Sequence, residues 1–174
     1  MPQPNSKFVY LATVLDAYTR EIIGWNFGVR HNSQLVTEAL RVALSRRNKP
    51  PEIFHSDQGS EYCSKDLNEI LISKNIQASM SAKSSPWQNG KQESFYQKFK
   101  LELGHPNIYE TRGELFEAIA LQIHYYNHRR IHSALKMPPS TLLPKMLATK
   151  LHQRKSGKTR SLKFRAALQP ILRS

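Results

Sequence analysis

Apolar residues in this chain come in short runs parted by polar breaks, and the spacing inside each run predicts an element. Phe8-Val9-Tyr10-Leu11-Ala12-Thr13-Val14-Leu15 is continuous and β-branched, which predicts a buried strand. Asp16-Ala17-Tyr18-Thr19-Arg20 is a turn, and Glu21 to Val29 predicts a second strand antiparallel to the first. Ser33 reads as an N-cap for an amphipathic helix over 34–47, with Leu35, Val36, Ala39, Leu40, Val42, Ala43 and Leu44 at helical spacing. Asn48-Lys49-Pro50-Pro51 ends it. Glu52 to His55 predicts a short strand, Asp66 to Lys74 a helix with Leu67, Ile70, Leu71 and Ile72 inward, and the alternating Ile76 to Ser81 another strand. Ala82 to Trp87 is a polar loop, and Gln88 to Leu103 a helix stopped by Gly104-His105-Pro106. Thr111, with Glu114 three residues on, predicts a capping box for a helix to about Asn127. Its apolar face is Leu115, Phe116, Ala118, Ile119, Leu121, Ile123 and Tyr126. A turn at Met137-Pro138-Pro139-Ser140 precedes a short helix over Thr141 to Leu147.

This order of strands and helices predicts an α/β fold, a mixed sheet flanked by helices, because most of the strands are apolar on both faces. From Ala148 onward Lys, Arg, Ser, Gly and Gln dominate, so the chain divides into a core over 1–146 and a basic, mobile tail over 147–174.

Charge sharpens that division. The net charge is +13, and residues 1–117 hold 14 Lys and Arg against all 13 acidic residues, while residues 118–174 hold 12 Lys and Arg and no acid. The first part reads as a balanced folded domain and the last as a polyanion-binding surface. The basic stretch is not amphipathic, so DNA fits it better than an anionic membrane does. No run approaches the roughly 20 apolar residues of a membrane span, and the N-terminus has no secretory pattern. The single cysteine, Cys63, cannot form an internal disulfide, which suits a reducing, cytoplasmic setting.

Two carboxylates carry the chemistry. Asp57 follows the strand over Glu52 to His55, and sheet ends of that kind are where α/β folds gather ligands. Glu93 falls near the start of the helix over 88–103, with Asn89, Tyr96 and Gln97 on its side and Lys91, Lys98 and Lys100 nearby. Two such acids in a basic chain predict a magnesium or manganese site working on a phosphodiester, with the lysines drawing in the backbone. Each has a plainer reading, Asp57 as a turn cap and Glu93 as a solvated carboxylate at a helix N-terminus. His55, His124 and His128 read as packing or DNA contacts, since one cysteine offers no zinc spacing.

Four stretches resemble the catalytic core of bacterial insertion-sequence transposases of the two-reading-frame type, relatives of retroviral integrase. They are Tyr10 to Trp25; His55-Ser56-Asp57-Gln58-Gly59-Ser60-Glu61-Tyr62; Ser84 to Phe95, with 35 residues between Asp57 and Glu93; and Tyr125-Tyr126-Asn127-His128-Arg129-Arg130-Ile131-His132 through Pro139. The resemblance implies a ribonuclease-H-like fold, an Asp-Asp-Glu metal triad holding two ions with DNA bound, cleavage at transposon ends and strand transfer into target DNA. Asp57 matches the second acid and Glu93 the third. Asn89, Lys91, Lys98, Lys100, Arg129, Arg130 and His132 become candidate DNA contacts. The implied partners are transposon-end and target DNA and further copies of the chain, at the bacterial nucleoid.

One part of the pattern is not met. The family's first Asp lies on a strand before the stretch matching Phe8 to Leu15, and no acid precedes Asp16 here. Asp16 matches a turn residue, paired with Arg20, rather than a catalytic one, and Glu61 is a further candidate for a secondary role. The sequence therefore predicts a sheet with its first strand largely missing and a core inactive alone. The alternatives are a non-catalytic DNA-binding or regulatory remnant, and a ribonuclease-H-like nuclease completed by Asp16 or Glu61.

Overall fold

A computed structural model describes residues 8–57, 59–81, 90–104, 108–146 and 163–173. Five strands form one sheet: β1 (Phe8–Asp16), β2 (Ile22–Gly28), β3 (Ile53–Ser56), β4 (Gln77–Met80) and β5 (Lys163–Arg173). The helices are α1 (Ser33–Ser45), α2 (Lys65–Ser73), α3 (Gly90–Leu103) and α4 (Arg112–His128).

The strand order is β2-β1-β5-β3-β4. β1 is antiparallel to both β2 and β5, and β3 is parallel to both β4 and β5. The expected tail is thus corrected over Lys163–Arg173, which form the middle strand; the rest of 147–174 lies outside the described residues. Composition pointed to a mobile segment, but Phe164, Ala166, Ala167, Leu168, Ile171 and Leu172 supply apolar residues at both strand parities, as a doubly covered strand requires. Pro170 would break a central ladder. It sits beside the bulge of the β1–β5 register and outside the Lys163–Arg165 stretch that pairs with β3.

Helices cover both faces. Ala12, Val14 and Ile23 pack with Leu35, Val36, Ala39, Leu40 and Ala43 of α1 and with Leu67 and Leu71 of α2. On the other face Val9, Leu11, Leu15 and Ile22 pack with Phe95, Tyr96 and Phe99 of α3 and Leu115, Ile119 and Ile123 of α4. The alternation along β1 divides the two cores, as strand period demands. Gly24 lets α1 lie directly on β2: a Cβ there would stand 2.2 Å from the Ala39 carbonyl oxygen.

Local detail departs from pattern in several places. α1 is capped by Asn32, whose side chain accepts from the Leu35 N–H, rather than by Ser33. α2 starts one residue early behind Ser64, and Ile72 is 78 % exposed. On α4, Phe116 and Leu121 are exposed instead of inward. Phe116 instead meets the rings of Trp25 and Phe27. The capping box holds in substance: Thr111 accepts from Glu114 N–H, and the Glu114 carboxylate accepts from Glu110 N–H.

Candidate metal centre and nucleic-acid interface

β3 ends at Ser56, which delivers Asp57 half-buried at the carboxyl end of the sheet. The chain then doubles back: Gly59 N–H donates to Asp57 Oδ1 at 3.1 Å. A Cβ on Gly59 would lie 2.5 Å from Glu61 Oε1, so only glycine allows the Glu61 carboxylate to tuck against the Asp57 loop. Glu61 is buried and faces His31 Nε2 at 3.5 Å, and His31 in turn meets the edge of the Tyr10 ring. The sequence suggested a secondary role for Glu61 but gave no sign of its pairing with His31, 30 residues away.

Glu93 is the fourth residue of α3, and so lies on its first turn. One turn later Tyr96 anchors the helix: its hydroxyl is 2.8 Å from Thr13 Oγ1 and donates to the Leu11 carbonyl. Burial pushes this phenol well above its ordinary range, so it stays a neutral donor. Thr13 pairs with Ala167 of β5, and the β3 register (His55 with Arg165) carries Asp57 to that same rung. Tyr96 therefore seats α3 on β1 at the rung that carries Asp57 two strands away. Asn89 lies outside the described residues, and of Lys91 and Glu93 only the helix backbone is described.

Asp16 does not complete this site. It pairs with Phe164, which pairs with Phe54, so it stands three rungs and two strands from Asp57. At ordinary strand rise and spacing that is about 14 Å, too far to share an ion. Its buried carboxylate instead organises the β1–β2 turn, accepting from Tyr18 and Thr19 N–H. Its ion-pair partner is Arg47, at 3.4 Å, not Arg20; Arg47 also holds Glu21 at 2.6 Å. Among the described residues no three His, Cys, Asp or Glu side chains cluster as a metal site.

The cationic candidates divide. Arg130 forms an ion pair with Glu102, whose carboxylate also accepts from Gln122. Arg129 and Lys98 are exposed, Lys100 half-buried. His132 is held below its ordinary pKa of 6.5, by burial first and then by Arg20, Lys98 and Arg130. Burial pushes the Tyr126 phenol up to about 12, against the opposing pull of Arg20 and Arg130. Arg20, Lys98, Arg130 and His132 thus share one patch near the carboxyl end of α4. Arg20 was missed because it sits in the β1–β2 turn, at a left-handed φ of 64°, far from the other three in sequence. His55 bridges strands, its ring nitrogens 3.0 Å from Ser79 Oγ and 3.1 Å from Ser81 Oγ, and His124 stacks on His128.

Known proteins carry the same pattern. Profiles described as "Integrase core domain" match residues 1–86 and 74–139. The transposase for insertion sequence element IS904 of Lactococcus lactis is 38% identical over 129 residues, 73% of this chain and 51% of that protein. Transposase InsF of insertion sequence IS3A from Escherichia coli K12 is 37% identical over 128 residues, 72% of this chain and 44% of that protein. The chain spans about half the length of these relatives. Among solved structures, the BIV integrase catalytic core superposes with a TM-score of 0.62 at 14% identity, covering 81% of this chain and 89% of that one. The HTLV-2 integrase catalytic core in complex with magnesium gives 0.55 at 19% identity, covering 80% and 88%. The fold is the ribonuclease-H-like α/β fold of integrase cores. The chain belongs to the integrase core domain family.

Proposed function

We propose that this chain is a DNA-binding core of a transposition and integration machinery, with Asp57 and Glu93 as its hard-oxygen metal ligands. The observation that supports this is Asp57 at the carboxyl end of β3, on the same rung of the sheet as Thr13, to which Tyr96 one turn after Glu93 is bonded. Gly59 N–H holds one oxygen of Asp57, and the second is a hard donor of the kind magnesium and manganese take. Two carboxylates fit one such ion, its shell completed by water or a phosphate oxygen. A two-ion site needs a third acid, and β5, the strand on the Asp57 rung, has none. A bound ion supplies polarisation of the phosphate and a lowered pKa for attacking water or hydroxyl. Asp57 and Glu93 would hold it, and Tyr96 anchors the helix that carries Glu93.

The patch of Arg20, Lys98, Arg130 and His132, with exposed Arg129 and with Lys91 and Lys100 on α3, supplies phosphate contacts for transposon-end and target DNA. Assembly with further copies on DNA fits the trimeric form in which the HTLV-2 core was solved. No described helix is long and apolar enough to cross a membrane.

The test separates binding from cutting. Anisotropy of a labelled duplex over a salt series should show affinity falling steeply with salt, and the same duplex with magnesium or manganese should remain uncut by the 174-residue chain. Metal-dependent nicking abolished by Asp57→Asn would instead establish the nuclease reading. No salt-dependent binding at all would remove both.

A further inference from the structure

The middle strand of the sheet is the last described element in sequence. Among the described strands, only β5 joins the antiparallel pair β1–β2 to the parallel pair β3–β4. Two-stranded units of that size are marginal alone, so the sheet depends on this joint. β5 pairs along the whole of β1, from Phe8 with Arg173 to Asp16 with Phe164, and with β3 over Ile53 to His55. At the rung of Asp57 it presents Ala167, and none of its eleven residues is acidic.

We propose that Lys163–Arg173 is a self-complementing strand: folded back within its own chain, it fills the slot between β1 and β3 and occupies that slot with a strand that carries no carboxylate. The device has two effects. It satisfies the backbone groups of β1 and β3 that would otherwise form two open edges, which are templates for pairing with other chains. It also holds the Asp57 site short of a third carboxylate, because any acid-bearing strand must first displace it. Partial pairing with β3, the bulge next to Val9 and Tyr10, and Pro170 make β5 displaceable in a way an uninterrupted central strand is not. The placement stands whether or not the chain cuts DNA.

Cross-linking tests it on the full chain. In a Cys63→Ser background, Ala12→Cys with Leu168→Cys joins register partners, whose Cα atoms in an antiparallel pair lie about 4.5–5.5 Å apart, within disulfide reach. Ala12→Cys with Phe164→Cys is four residues out of register, about 13 Å along the strand, beyond that reach. Under mild oxidation the in-register pair should close rapidly within monomers and the other should not. A disulfide formed only between chains would show exchange between copies and overturn the proposal, as would equal rates for the two pairs. Hydrogen exchange on the unaltered chain guards against a variant that misfolds. Amides of 164–169 should be protected to the same degree as those of 11–15, and free exchange of 164–169 beside a protected β1 would sink it.

Discussion

Asn127 lies in the stretch that reads most like a DNA-contacting motif, flanked by His128, Arg129 and Arg130, yet the structure gives it a different task. It is buried, its Oδ1 accepts from Ile22 N–H at 2.9 Å, and its Nδ2 donates to the Ile22 carbonyl at 2.9 Å. Among the described strands β2 is an edge, and Asn127 bonds Ile22 on the side away from β1 while tying α4 to the sheet. Asn127→Ala removes both bonds and leaves a buried N–H and a buried carbonyl unpaired. Each orphaned group costs about 1–3 kcal/mol, and partial access of water to an edge lowers the sum to about 2–4 kcal/mol. For a chain of this size that is a fall in Tm of about 5–15 °C. Urea denaturation followed by circular dichroism measures it. Asn127→Asp keeps an acceptor for Ile22 N–H but sets a buried carboxylate oxygen against the Ile22 carbonyl, and should cost at least as much. A loss below about 0.5 kcal/mol, or weaker DNA binding at unchanged stability, would refute the structural role and return Asn127 to the interface.

Other outcomes follow from single contacts. Gly59→Ala should displace the Glu61 carboxylate and shift the Asp57 loop, lowering manganese affinity by calorimetry while the fold survives; unchanged affinity would detach Gly59 from the site. Tyr96→Phe should cost about 1–2 kcal/mol by denaturation, from lost bonds to Thr13 and Leu11; a neutral effect would mean those bonds do not hold α3. Because His132 takes its proton at lower pH in the folded chain than unfolded, it disfavours the fold as pH drops below 6.5, and the loss is recovered as pH rises back through that window. DNA phosphate at the patch favours the protonated ring, so binding should strengthen toward acid pH, and His132→Gln should flatten the profile; an unchanged profile would remove His132 from the interface.

Much of this arrangement was legible beforehand because local signals agree with the global fold. The β-branched run at Phe8 to Leu15, the Thr111 and Glu114 cap, and the break after Leu103 each fix an element through neighbours close in sequence. Asp57 was legible for the same reason, as an acid placed just after an apolar strand with glycine two residues on. What remained hidden depends on distant partners. Composition describes 148–174 as a solvated tail, and only the open slot between β1 and β3 gives Lys163–Arg173 a reason to order. Arg20 reads as the partner of Asp16 because it is near in sequence, while Arg47 reaches the same carboxylate from the end of α1. Ile72 and Leu121 show that an apolar residue at helical spacing need not face the core.

The late position of β5 also sets a clock. Ribosomes lengthen a chain by about 5–20 residues per second, so the 150 residues between Leu15 and its partner Arg165 correspond to about 8–30 s of synthesis. During that interval β1 and β2 can pair, and so can β3 and β4, but no described strand stands between the two pairs. Pairing at such separation gives a high contact order and slow closure. The nascent chain therefore spends its most exposed period with the Asp57 end of the sheet unformed, and becomes a single cooperative unit only when its last described strand arrives.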